Sequence, residues 1–101
     1  MILVTGSILA REDTLDELLE LSLEHVRRSR QEPGCLSHAV HRDAEEPLKL
    51  VFVETWESRE ALAVHFQVPA SGEFVAAAAQ LAAGPPNLAV YEATAIELPL
   101  G

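Results

Sequence analysis

The run LKLVFVETW, residues 48–56, restricts the fold more than any other part of the chain. It is short, rich in β-branched and aromatic residues, and gives way to a helical pattern at Ser58, so it reads as a strand. Leu50, Val51, Phe52 and Val53 are apolar in succession, and both faces of the strand therefore need cover. A strand with one solvated face would alternate apolar and polar residues. Whatever packs on one face, a second layer has to pack on the other.

The rest of the chain supplies one such layer. MILVTGSILA reads as a first strand. REDTLDELLELSLEHVRRSRQ changes period and places Leu15, Leu18, Leu19, Ser22 and Val26 on one helical stripe. Thr14 and Glu17 have the spacing of a capping box. Arg27, Arg28 and Arg30 fall in the last turns, where they complement the helix C-terminus and stay solvated. The turn EPG at 32–34 ends the helix, CLSHAVHR forms a second strand, and DAEEP leads into the third. SREALAVHF is a short helix with Ser58 as N-cap, interrupted by Pro69. SGEFVAAAAQLAAG is another helix closed by Gly84 and Pro85, and NLAVYEATAIEL is the last strand.

The order β-α-β-β-α-α-β predicts an α+β chain of the ferredoxin-like, split βαβ type. It implies a single domain over 1–101, built as a four-stranded antiparallel sheet with helices on one face. Those helices cover only one side of the third strand. Val51, Val53 and Thr55 point to the other side, and a second copy of the chain is the expected cover there, giving a homodimer.

Charge and cysteine content narrow the partners. The formal net charge of −9 argues against nucleic acid and anionic membrane, which call for clustered Lys and Arg. No apolar run approaches the roughly 20 residues of a membrane helix. Cys35 is the only cysteine, so no internal disulfide forms. No charged and apolar leader precedes the first strand, and a cytoplasmic location is expected.

Leu50, Phe52, Glu54 and Trp56 share a strand face, and in the following helix Ala61, Leu62, His65 and Phe66 form one stripe. Folding that helix back over its own strand brings His65 toward Glu54 and Trp56. Each residue also has a plain reading, as core aromatic, edge acid or structural histidine. Together, an acid and a histidine in an apolar enclosure tune each other's pKa. His38 and His41 lie three apart on a strand, hence on opposite faces, and do not chelate one ion. With no zinc, flavin or phosphate-loop motif in the sequence, no metal and no cofactor are expected.

EPGCLSHAVHRD and VFVETWESREALAVHF, with the element order, resemble the antibiotic biosynthesis monooxygenase superfamily. The resemblance spans nearly the whole chain. It rests on the Pro33-Gly34-Cys35 turn, the Glu54-x-Trp56 pair and the Ala63-x-His65 segment. It implies a dimeric α+β barrel with a pocket between each sheet and its helices. Several members of that superfamily oxidise phenols or hydroquinones with molecular oxygen and no cofactor. Phe52 stands where the aromatic-polyketide members carry asparagine, and the residues of the haem-degrading branch are missing, so haem is not expected.

The resemblance gives this chain a small aromatic substrate and molecular oxygen as partners. A reaction of that type needs a base, a donor for developing oxygen charge and a dry enclosure. His65 is the expected base and His38 the reserve. Trp56 offers an N–H and a flat wall, and Glu54 orients or stabilises a histidine. Leu50, Phe52 and Phe66 line the enclosure. An isomerase or lyase acting on a small metabolite, or a non-catalytic binding dimer, remains an open alternative.

Overall fold

The computed structural model describes residues 1–99. The element order is β1 (Ile2–Leu9), α1 (Leu15–Ser29), β2 (Cys35–Arg42), β3 (Lys49–Trp56), α2 (Arg59–Gln67), α3 (Pro69–Leu81) and β4 (Asn87–Glu92). The strands form one antiparallel sheet in the order β2-β3-β1-β4, the split βαβ arrangement.

β3 shows strict alternation: Leu50, Phe52, Glu54 and Trp56 are buried beneath the helices, while Lys49, Val51, Val53 and Thr55 are half-buried on the other side. Two apolar clusters fill the helical side. One joins Ile8, Ala10, Leu18, Val26, Leu50, Phe52 and Ala78. The other joins Ile2, Val4, Trp56 and Leu62. Among the described residues no helix covers the opposite face, where Thr5, Ser7, Lys49, Val51, Asn87, Ala89 and Tyr91 border a shallow hollow.

Three local expectations change. The Thr14 hydroxyl does not cap α1; it donates to the Leu81 carbonyl at 2.6 Å and accepts from the Arg11 N–H at 3.0 Å. Its single proton goes to an otherwise unpaired carbonyl at the end of α3. Pro69 does not merely interrupt a helix but opens α3 at its first position, where a missing N–H costs nothing. The last strand ends at Glu92 rather than Leu98, because Glu92 pairs with Ile2 at the start of β1. Beyond it, Ala93 N–H reaches the Met1 carbonyl at 2.8 Å, and Ile96 and Leu98 are exposed.

The turn before β2 packs against the start of α2. Gly34 has φ +82°, a conformation that a side chain disfavours. A Cβ there would also lie 2.5 Å from the Cβ of Ala61, so glycine is what allows α2 to approach the turn. The Glu57 N–H donates to the Gly34 carbonyl at 2.8 Å and pins the strand-to-helix corner against it. Ser58 caps α2 as expected, accepting from the Ala61 N–H at 3.1 Å.

Candidate functional site

Strand alternation turns Glu54 and Trp56 under the helices, and α2 folds back so that His65 lies over them. Trp56 is fully buried, and the His65 ring lies 4.6 Å from it, centre to centre. The indole N–H donates to Glu54 Oε1 at 2.8 Å. That N–H is therefore occupied by Glu54 rather than free for a ligand.

His38, from β2, sits opposite Glu54 in the strand register. Its Nε2 is 3.2 Å from Glu54 Oε2, close enough for an ion pair, yet among the described residues neither ring nitrogen has a well-aligned hydrogen-bond partner. His41 is exposed, so the two histidines of HAVH do lie on opposite faces. Burial alone pushes the Glu54 carboxyl up. The polar contact and charge of His38, the hydrogen bond from Trp56 and the nearby His65 outweigh it and hold Glu54 below the usual range.

The carboxylate that backs His65 is Glu32, whose Oε1 lies 2.9 Å from Nδ1. Glu32 comes from the turn that precedes Pro33. A carboxylate at Nδ1 holds the proton there and leaves the lone pair on Nε2. Ser71 Oγ is also 3.5 Å from Nδ1.

His25 completes the group. It lies on α1 at i+7 from Leu18 and i+3 from Ser22, within the buried stripe. That periodicity was the one available signal for it. Its ring stacks on Phe74 at 4.0 Å, and its centre is 5.3 Å from His38 and 5.5 Å from His65. Arg28 is not purely solvated: its Nη2 donates to His25 Nδ1 at 2.8 Å, and Arg30 Nε donates to the His38 carbonyl at 2.8 Å. Burial, followed by the neighbouring His38, Arg28 and His65, pushes His25 down to about 3. His25 is therefore neutral at neutral pH.

The other expected lining residues separate from this centre. Leu50 packs in the far half of the core with Ile8 and Leu18. Phe52 approaches only indirectly, edge-on to Phe74 at 6.1 Å. Phe66 is 54% exposed and faces away, because the helical rotation that buries Leu62 and His65 leaves the next position outside. It borders a cleft of about 620 Å³ between α2 and the edge strand β4, together with Ile2, Leu62, Ala63 and Val90. Arg59 and Glu92, paired at 2.7 Å, lie at its rim. Ile2 and Leu62 also belong to the apolar cluster that holds Trp56.

This sheet, with an acid–tryptophan pair at the end of β3 and a histidine on the next helix, can be set beside known proteins. The sequence model of the antibiotic biosynthesis monooxygenase family matches residues 1–77. The chain belongs to this family. An uncharacterised protein of Synechocystis is 37% identical over 91 residues, covering 90% of this chain; the chain spans 62% of that relative's length. A crystal structure from Deinococcus radiodurans, of a candidate antibiotic biosynthesis monooxygenase, superposes with a TM-score of 0.93 at 24% identity over the full length of both chains. A Mycobacterium tuberculosis protein superposes with a TM-score of 0.87 at 25% identity, over 94% of this chain and 96% of the other. Family membership accounts for the fold. No helix among the described residues is long and apolar enough to cross a membrane.

Proposed function

We propose that the chain is a cofactor-independent monooxygenase that oxidises a small phenol or hydroquinone with molecular oxygen, acting as a homodimer. The observation that carries this reading is the Glu32–His65 contact at 2.9 Å, which leaves the lone pair on Nε2 of a buried imidazole whose ring centre lies 4.6 Å from Trp56 and 5.6 Å from His38. His65 Nε2 takes the phenolic proton. The phenolate then passes an electron to oxygen, and the radical pair combines at a ring carbon to give a hydroperoxide. Loss of water from that hydroperoxide leaves the quinone. Ionised Glu54 stabilises the positive charge that develops across the cluster when the base takes its proton. The apolar wall of Trp56 and Phe74 excludes water. The aromatic ring enters from the cleft, and Leu62 has to turn aside to admit it.

A non-catalytic binding dimer is the second reading, favoured by one observation: the cleft is lined by Leu62, Phe66 and Val90 and by none of the histidines. Oxygen uptake with a panel of hydroquinones and naphthols, without added cofactor, separates the two. Quinone formation that tracks oxygen consumption supports the enzyme. Saturable binding of the same compounds without oxygen uptake supports the binding protein and overturns the enzymatic proposal.

A further inference from the structure

We propose that His25, His38 and His65 form a binding site for one divalent transition-metal ion of the zinc class. One ring nitrogen from each lies within 4.8 Å of those of the other two, and all three residues are buried. The ring centres form a nearly equilateral triangle with sides of 5.3, 5.5 and 5.6 Å. Three imidazoles on a zinc with bonds of about 2.0–2.1 Å place their ring centres ~5 Å apart and their nitrogens ~3.4 Å apart. The ring centres are thus already at nearly the required separation. Rotation of the rings closes the remaining gap between nitrogens.

Two further observations point to a ligand. The His38 side chain is fully enclosed, and among the described residues neither ring nitrogen has an aligned hydrogen-bond partner, Nε2 meeting Glu54 Oε2 at 3.2 Å without good alignment. A buried imidazole left this way loses the hydrogen bonds water gave it, and a metal bond replaces them. Glu32 Oε1 on His65 Nδ1 is the carboxylate–histidine arrangement that orients a metal-ligating imidazole and raises its basicity. Glu54, with Oε2 3.2 Å from His38, brings the negative charge that a dication favours. Imidazole ligands suit zinc, nickel, copper and iron rather than magnesium or calcium.

Arg28 opposes the metal. Its donation to His25 Nδ1 keeps the His25 proton on Nε2 and places a cation beside the site. A metal on His25 therefore needs Arg28 to withdraw, and Ser71 Oγ, 3.4 Å from the same Nη2, offers it another partner. Arg28 is the resident cation of the metal-free state, and metal and guanidinium compete. The inference goes beyond the monooxygenase reading: a metal on His65 takes the lone pair the base needs, so zinc-bound chain is inactive in that chemistry.

The test is calorimetric titration of chelator-treated protein with zinc, and visible spectroscopy with cobalt(II). The expected result is one zinc per chain and the intense cobalt bands of a four-coordinate site. His25→Phe should weaken zinc at least 100-fold, and Glu32→Gln by about 10- to 100-fold. Arg28→Gln should strengthen it by about tenfold by removing the competing charge. No saturable zinc binding by the wild type overturns the proposal. So does equal binding by the wild type and His25→Phe, which would put the ion on exposed groups such as His41. If the histidine variants fail to fold, a weak six-coordinate cobalt spectrum of the wild type overturns the proposal by itself. None of these measurements uses an aromatic substrate, so their failure and failure of oxygen uptake are separate results.

Discussion

Glu32 Oε1 and His65 Nδ1 lie 2.9 Å apart, although the two residues are 33 positions apart in sequence. The contact joins the turn before β2 to the inner face of α2 and decides which nitrogen of His65 carries the lone pair. Glu32→Gln keeps the shape and a weaker acceptor but removes the charge. It should lower turnover by about tenfold or more, since positioned acid–base groups contribute about 100- to 10,000-fold in total. Steady-state oxygen uptake checks this, with sedimentation showing that the fold survives.

Gly34 should tolerate no side chain. Gly34→Ala places a Cβ at φ +82° and 2.5 Å from Ala61, so the turn and α2 both have to shift. The left-handed conformation alone costs about 1–2 kcal/mol for an alanine, and the clash adds to it. Gly72, inside α3 and with nothing within 4 Å of its missing Cβ, provides the control. Gly72→Ala should stabilise by about 0.5–1 kcal/mol. Urea denaturation of the two variants should move the midpoint in opposite directions.

Much of this architecture was legible before folding. Alternation in β3 identified the buried face, and the return of α2 over its own strand placed His65 against Trp56. The helix-side partners were harder to read. His25, Arg28 and Glu32 come from α1 and the turn after it, and local patterning does not specify how deeply those pack against β2. Arg28 illustrates the difficulty. A basic residue in a last helical turn suits the helix dipole and solvent equally well, until a buried imidazole comes within reach of it. Thr14 misled similarly: its spacing to Glu17 matched a capping box, but the Leu81 carbonyl lies 67 positions away in sequence.

Cys35 should be a slow thiol. Burial, followed by the charges of Glu54 and Glu32, raises its pKa above the ordinary thiol value. A raised pKa leaves less thiolate at any pH below it, and thiolate is the reactive form. Alkylation by iodoacetamide at pH 8 should be slower in the folded protein than in urea. The rate should keep climbing at pH values where the unfolded chain has levelled off. A folded-state rate equal to the unfolded one would mean that Cys35 does not feel these groups.

Val53 should report on assembly. It lies on the sheet face that no helix covers, beside Ala39 and Thr5 in the strand register. Val53→Glu would place an unpaired charge in the proposed interface, where a lost partner typically costs about 3–5 kcal/mol. Sedimentation should show a wild-type dimer, and a monomer or unfolded chain for the variant. A stable wild-type monomer would remove the dimer from the account.

The most direct test of the central claim is the rate of oxygen consumption by His65→Ala against the wild type, in metal-free buffer, on a hydroquinone that the wild type turns over. Loss of the base should reduce the rate by about 100- to 10,000-fold, while sedimentation and circular dichroism stay unchanged. Full activity in a folded His65→Ala protein would contradict the account and leave His65 a packing residue beside Trp56.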